Sequence, residues 1–182
     1  MDISFYLKPA IFSFVLTVFF LVLALKYFPK WGLMDRPKRY GLKRGAIPYY
    51  GGLVIFLSFL IAVFFFVPLN AATIGLIIGA SMIAVLGFFD DLLNLSPFLR
   101  LFVQFLAALV LVFSGIGILS INLPFLGALE FTNFVYNGVF VLSAIFTIIW
   151  VMAILNTMNF VDGISGLGSG VSFVAGLTIF FL

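Results

Sequence analysis

The sequence predicts an all-α, polytopic helical membrane protein with five complete transmembrane helices, a truncated sixth and the N-terminus outside. Three observations lead there. Of the 182 residues, 65% are hydrophobic and only 8% are charged, against about 25% charged in an ordinary soluble domain. The apolar residues fall into six runs, and a membrane span takes ~20 of them. Seven of the nine Lys/Arg residues lie between Lys26 and Arg44, which orients a membrane protein and does not coat a soluble one. A soluble fold of this length could neither bury 26 Phe nor find enough charge for its surface. The same richness excludes disorder.

Each element follows in order. The first helix is expected from Pro9 to Tyr27; no small-residue cleavage pattern marks it as a removable signal, so it is retained. A cytoplasmic loop of about 28–50 carries most of the cations, and Arg36-Pro37 and Ile47-Pro48 bias it away from helix. The second helix is expected over Gly51–Val67, turned by Pro68-Leu69-Asn70, and the third over Thr73–Phe89, stopping at Asp90-Asp91. A second loop of about 90–98 holds Asn94-Leu95-Ser96-Pro97 before a fourth helix, Phe98–Ile118. Leu119–Asn137 is the longest uncharged connection apart from Glu130, and a fifth helix spans Gly138–Leu155. Asn156–Gly170 is a Gly-rich loop, and the sixth apolar run, Val171–Leu182, is shorter than a full span. Residues 1–182 are taken as a single transmembrane domain, expected to be the N-terminal half of a longer protein and inactive alone.

Placing the 28–50 loop inside puts eight of nine cations on the cytoplasmic side, with only Lys8 outside. Alternation brings Asp35, Asp90, Asp91 and Asp162 to that side as well. The polar groups thus gather at helix ends on one face of a cell membrane. A transporter would place them near the bilayer midplane instead. Net charge is only +3 and the cations are clustered, so no nucleic acid is expected as a partner.

There is no Cys and no His, which leaves no thiolate and no imidazole for metal binding or base catalysis. Any metal must be held by oxygen, which suits Mg²⁺ and also Mn²⁺. Asp90 and Asp91 are the candidate ligands. Two adjacent carboxylates at the negative end of a helix are unfavourable without a cation. Asn156-x-x-Asn159-x-x-Asp162 puts three polar groups at spacings of three, close to one face if the fifth helix runs on. The glycines that follow, from Gly163, either admit phosphate oxygens to backbone N–H groups or serve helix packing. The basic loop, with Lys43 and Arg44, either anchors the protein or meets a phosphate. Arg100 suits a phosphate; Gln104, one turn on, suits a hydrogen bond to a neighbouring helix.

Asp35-x-Pro37, Pro48-x-x-Gly51-Gly52, Gly87-Phe88-x-Asp90-Asp91 with Arg100 and Gln104, and Asn156-x-x-Asn159-x-x-Asp162-Gly163-x-x-Gly166-Leu167 occur in order. Together they resemble the polyprenyl-phosphate N-acetylhexosamine-1-phosphate transferases, glycosyltransferase family 4. The resemblance runs from about Gly32 to Gly170. It implies transfer of a sugar-1-phosphate from a UDP-N-acetylhexosamine to polyprenyl phosphate, with release of UMP and a requirement for Mg²⁺, in cell-wall or surface-polysaccharide precursor synthesis. By the same resemblance Asp90, Asp91 and Asp162 are catalytic, Asp90 and Asp91 hold metal, and Lys43, Arg44, Arg100, Asn156, Asn159 and Gly163 bind substrate. Membrane lipid is a further partner and a homodimer stays open. The chain departs from the family pattern at Tyr40 and Lys43, where an Arg and a His are usual, and at Ser165, where an acid is usual. A non-catalytic membrane subunit is the alternative function.

Overall fold

The computed structural model describes residues 3–35, 47–48, 51–124, 127–161 and 166–181. It divides into two compact units, Met1–Leu69 and Asn70–Leu182. The described residues form six helices: α1 (Ile3–Tyr27), α2 (Gly51–Phe66), α3 (Ala71–Leu93), α4 (Pro97–Phe113), α5 (Val141–Val161) and α6 (Leu167–Phe181).

In the first unit α1 and α2 pack side by side, with the Phe12 ring edge-on to Phe65 and Phe66 at 6.0 and 5.3 Å. Ser58 is fully buried, and its hydroxyl donates back to the Val54 carbonyl at 2.9 Å. That bond satisfies a polar group that burial would otherwise penalise. After α1, Tyr27 and Trp31 stack, and the ammonium groups of Lys26 and Lys30 lie over the Tyr27 ring. Amphipathic rings with lysine are a pattern of the membrane–water boundary. Two short strands, β1 (Met34–Asp35) and β2 (Ile47–Pro48), pair antiparallel.

The second unit begins with α3, whose N-terminus is capped by Asn70: its Oδ1 accepts from the Thr73 amide at 2.9 Å. α3 lies against α4, and α4 against α5. Glycines permit the first contact. A Cβ at Gly75 would collide with the Ser114 side chain, and one at Gly79 would press the Ala107 carbonyl and Leu111 at 3.4 Å. Small residues at a helix–helix seam are how membrane helices approach closely. Ala107 and Ala108 are buried on the same helix, α4. α6 is exposed along most of its length.

Among the described residues three helices, Tyr6–Tyr27, Ala71–Leu93 and Val141–Val161, are long and apolar enough to cross a bilayer; α2, α4 and α6 are shorter. This is the architecture of a helical membrane protein. Several boundaries differ from expectation. α4 stops at Phe113 and not at Ile118, because Gly115 takes φ +86° and turns the chain. The connection to α5 is not plain loop: β3 (Ser120–Leu123) pairs with β4 (Gly127–Glu130), and β5 (Val135–Tyr136) with β6 (Val139–Phe140). The all-α expectation is corrected to that extent. Asn137 and Gly138, at φ 48° and 80°, form the two-residue turn that Asn-Gly favours in hairpins. α5 therefore starts at Val141, not Gly138. Phe131, just past β4, stacks on Phe146 of α5 at 4.7 Å. At the site end, α3 continues through Asp90-Asp91 to Leu93, α5 continues through Asn156 and Asn159 to Val161, and α6 begins at Leu167. The expected 90–98 and 156–170 loops are correspondingly shorter.

Candidate active site

The α3–α4 connection is three residues long and its chemistry is local. Asn94 adopts the left-handed conformation (φ 52°, ψ 67°), and its amide donates to the Asp90 carbonyl at 2.8 Å, ending α3. Asparagine is among the few non-glycine residues that enter this region readily. Ser96 caps α4 by accepting from the Leu99 amide, and Pro97 fills the first helical position, where its missing N–H costs nothing. This turn brings Arg100, in the first turn of α4, back to Asp90 in the last turn of α3.

Asp90 Oδ1 accepts from the Leu95 amide at 3.0 Å and lies 2.8 Å from Arg100 Nε. The Arg100 Nε–H is not aligned on that oxygen and has no hydrogen-bond acceptor among the described residues. The contact is therefore an ion pair and not a directed hydrogen bond. Arg100 Nη2 donates to the Leu95 carbonyl at 3.0 Å and approaches Asn94 Oδ1 at 3.5 Å. The contacts of Asp90 with Arg100 and with the Leu95 amide are both made by Oδ1. Asp91 is exposed. Successive helical residues point about 100° apart, so the two carboxylates do not face each other.

One turn further along α4, Gln104 is buried and its Oε1 accepts from Asn156 Nδ2 on α5 at 2.8 Å. Asn156 Nδ2 also donates to the Met152 carbonyl at 2.7 Å. Asn159 is exposed, three positions on from Asn156 in the same helix. α4 thus binds α3 through Arg100 and α5 through Gln104 at the same end. Of the residues expected at the site, the fold brings together Asp90 with Arg100. It ties Asn156 to Gln104, which the sequence suggested only as a helix-pairing residue. Lys43, Arg44, Asp162 and Gly163, with Tyr40 and Ser165, lie outside the described residues. Among the described residues no three acidic, His or Cys side chains gather. Asp90 and Asp91 each offer oxygen donors only, which suits an ion that takes a single carboxylate from the protein and completes its shell with water and phosphate.

The sequence profile of glycosyl transferase family 4 matches residues 73–182, from the start of α3 through α6. The chain belongs to glycosyl transferase family 4. It is 31% identical over 161 residues to the decaprenyl-phosphate N-acetylglucosaminephosphotransferase of Mycobacterium tuberculosis, covering 81% of this chain and 38% of that one. It is 30% identical over 186 residues to the phospho-N-acetylmuramoyl-pentapeptide-transferase of Borrelia hermsii (90% and 50% covered). With the enzyme of that name from Lactobacillus gasseri the identity is 28% over 191 residues (94% and 57% covered). The chain spans about two fifths to three fifths of the length of these relatives. No solved structure matches it. The match bears out the resemblance carried by the motifs, and the family region contains every helix that builds the Asp90–Arg100 and Gln104–Asn156 pairs.

Proposed function

We propose that the protein transfers N-acetylhexosamine-1-phosphate from a UDP-sugar to polyprenyl phosphate. An oxygen of the lipid phosphate attacks the phosphorus that bears the sugar, the bond to the uridine-side phosphate breaks, and UMP leaves. The lipid phosphate ionises a second time at about pH 6. It is already a dianion near neutrality, so a chain without histidine lacks nothing for this nucleophile. The obstacle is bringing two anions together, which calls for positive charge and orientation. The observation that carries the reading is the Asp90 carboxylate, held by Arg100 at the end of α3 within the family region, with the Gln104–Asn156 pair one turn away on α4.

Asp90 or Asp91 would hold Mg²⁺, which when bound supplies neutralising charge to phosphate oxygens. The ion pair to Arg100 and the bond from the Leu95 amide fix Asp90 through Oδ1. Lys43 and Arg44 are assigned to substrate phosphate, and Asn156, Asn159, Asp162 and Gly163 to the nucleotide-sugar. The protein sits in the cytoplasmic membrane with α1–α5 crossing it, the N-terminus outside and the site on the cytoplasmic face. The cation distribution supports that orientation. The shorter α2 and α4 cross where the bilayer thins or their ends snorkel.

The test is UDP-N-acetylglucosamine-dependent exchange of labelled UMP in membranes containing the protein. Exchange should require Mg²⁺ or Mn²⁺. Asp90→Asn and Asp91→Asn should each cost at least ~10²-fold, the scale on which preorganised electrostatic groups act. Asp2→Asn should be neutral. Undiminished exchange in EDTA with both acids replaced ends the assignment.

A further inference from the structure

We infer that Gln104 is a positioning residue that fixes the Asn156 amide so that Asn156 offers only an acceptor, its Oδ1, to a donor group of the nucleotide-sugar. The inference rests on the proposed function and adds a specificity to one of its residues. An asparagine amide has two N–H donors and one acceptor oxygen. Both donors are used. Asn156 Nδ2 lies 2.7 Å from the Met152 carbonyl and 2.8 Å from Gln104 Oε1. The Met152 carbonyl can only accept, so the atom facing it is the nitrogen and not the oxygen. With the nitrogen placed, the Gln104 atom facing it is the oxygen. The amide orientation is therefore set by the network.

Gln104 itself is 9% exposed, so its rotamer is held by packing on α4. The consequence is chemical. Asn156 has no N–H left for a phosphate oxygen, and Oδ1 makes no hydrogen bond among the described residues. Its complement is an N–H or O–H: the acetamido N–H, a sugar hydroxyl or the imide N–H of the base. Without Gln104 the amide keeps only the bond within its own helix and gains a second rotational state, which leaves Oδ1 less often in place.

The experiment measures binding of UDP-N-acetylglucosamine, UDP-glucose and UMP to the purified full-length protein, wild-type, Gln104→Leu and Gln104→Glu, alongside side-chain amide ¹⁵N spectra of Asn156. Gln104→Leu should weaken UDP-N-acetylglucosamine about tenfold, the worth of one hydrogen bond, and accelerate exchange of the Asn156 side-chain protons. Gln104→Glu, which keeps an acceptor, should restore both. A penalty that persists with UMP places the donor in the uridine. One confined to UDP-N-acetylglucosamine places it in the acetamido group, and one shared with UDP-glucose but lost with UMP places it on a sugar hydroxyl. Unchanged affinity for all three in Gln104→Leu, with wild-type binding intact, overturns the inference. No binding of any of the three by the wild-type protein overturns the proposed function itself.

Discussion

Replacing Asp90 separates a structural role from a chemical one. The Asp90–Arg100 pair is close, at 2.8 Å, but the two side chains are 25% and 29% exposed. Coulomb attraction at that distance is about 6 kcal/mol in a medium of dielectric ~20, an upper bound before desolvation and side-chain entropy. Exposed pairs retain roughly 0.2–1 kcal/mol. A partly exposed, poorly aligned pair should therefore couple by about 1 kcal/mol. In Asp90→Asn the Leu95 amide keeps a neutral acceptor, so the whole substitution should cost about 1–2 kcal/mol. Against a total stability of about 5–15 kcal/mol the protein stays folded. Stability alone then removes almost none of the active population, while the proposed chemistry removes at least ~10²-fold. The assay is a double-mutant cycle of Asp90→Asn and Arg100→Gln by unfolding in detergent micelles, run beside UMP exchange. Additivity within about 0.3 kcal/mol would deny the ion pair. Activity that falls only in proportion to the folded fraction would reduce Asp90 to a structural residue.

Three further outcomes follow from the packing and topology. Gly75→Leu drives a side chain into Ser114 on α4 and should destabilise the α3–α4 seam by about 1–3 kcal/mol in the same unfolding assay; a neutral effect would mean the helices do not meet there. Thr147→Val removes the hydroxyl that accepts from the Ile118 amide at 2.8 Å and should cost about 1–3 kcal/mol, whereas a stability equal to wild type would show that amide finding another acceptor. Lys38→Cys should be shielded from an impermeant thiol reagent in intact cells and Glu130→Cys should react, and labelling of Lys38→Cys from outside would invert the topology.

Hydropathy made every helix legible because apolar runs in lipid leave few alternatives. Turn chemistry was legible where it is local. Asn94, Ser96 and Pro97 stand where a helix ends and another starts, and the backbone follows them. The Asn137-Gly138 hairpin escaped because its flanks are apolar enough to read as the start of a span, so the two-residue turn signal was overridden by composition. α3 outran its expected end because charge does not stop a helix. The left-handed Asn94 does, one turn beyond the acidic pair. That extra turn changes the site, since helical Asp90 and Asp91 diverge where a loop could have paired them. The Gln104–Asn156 bond joins residues 52 positions apart. Local periodicity carries no trace of such a partner, although an amide at Gln104 in an apolar helix marked that residue as needing one.

The most direct measurement is the identity of both products when the purified full-length protein in lipid is given a UDP-N-acetylhexosamine, polyprenyl phosphate and Mg²⁺. Transfer of a sugar-1-phosphate predicts UMP together with a polyprenyl diphosphate that carries the sugar, its mass increased by the sugar and one phosphate. UDP together with a polyprenyl monophosphate sugar would mean that the glycosidic bond breaks instead, and would contradict the account at its centre.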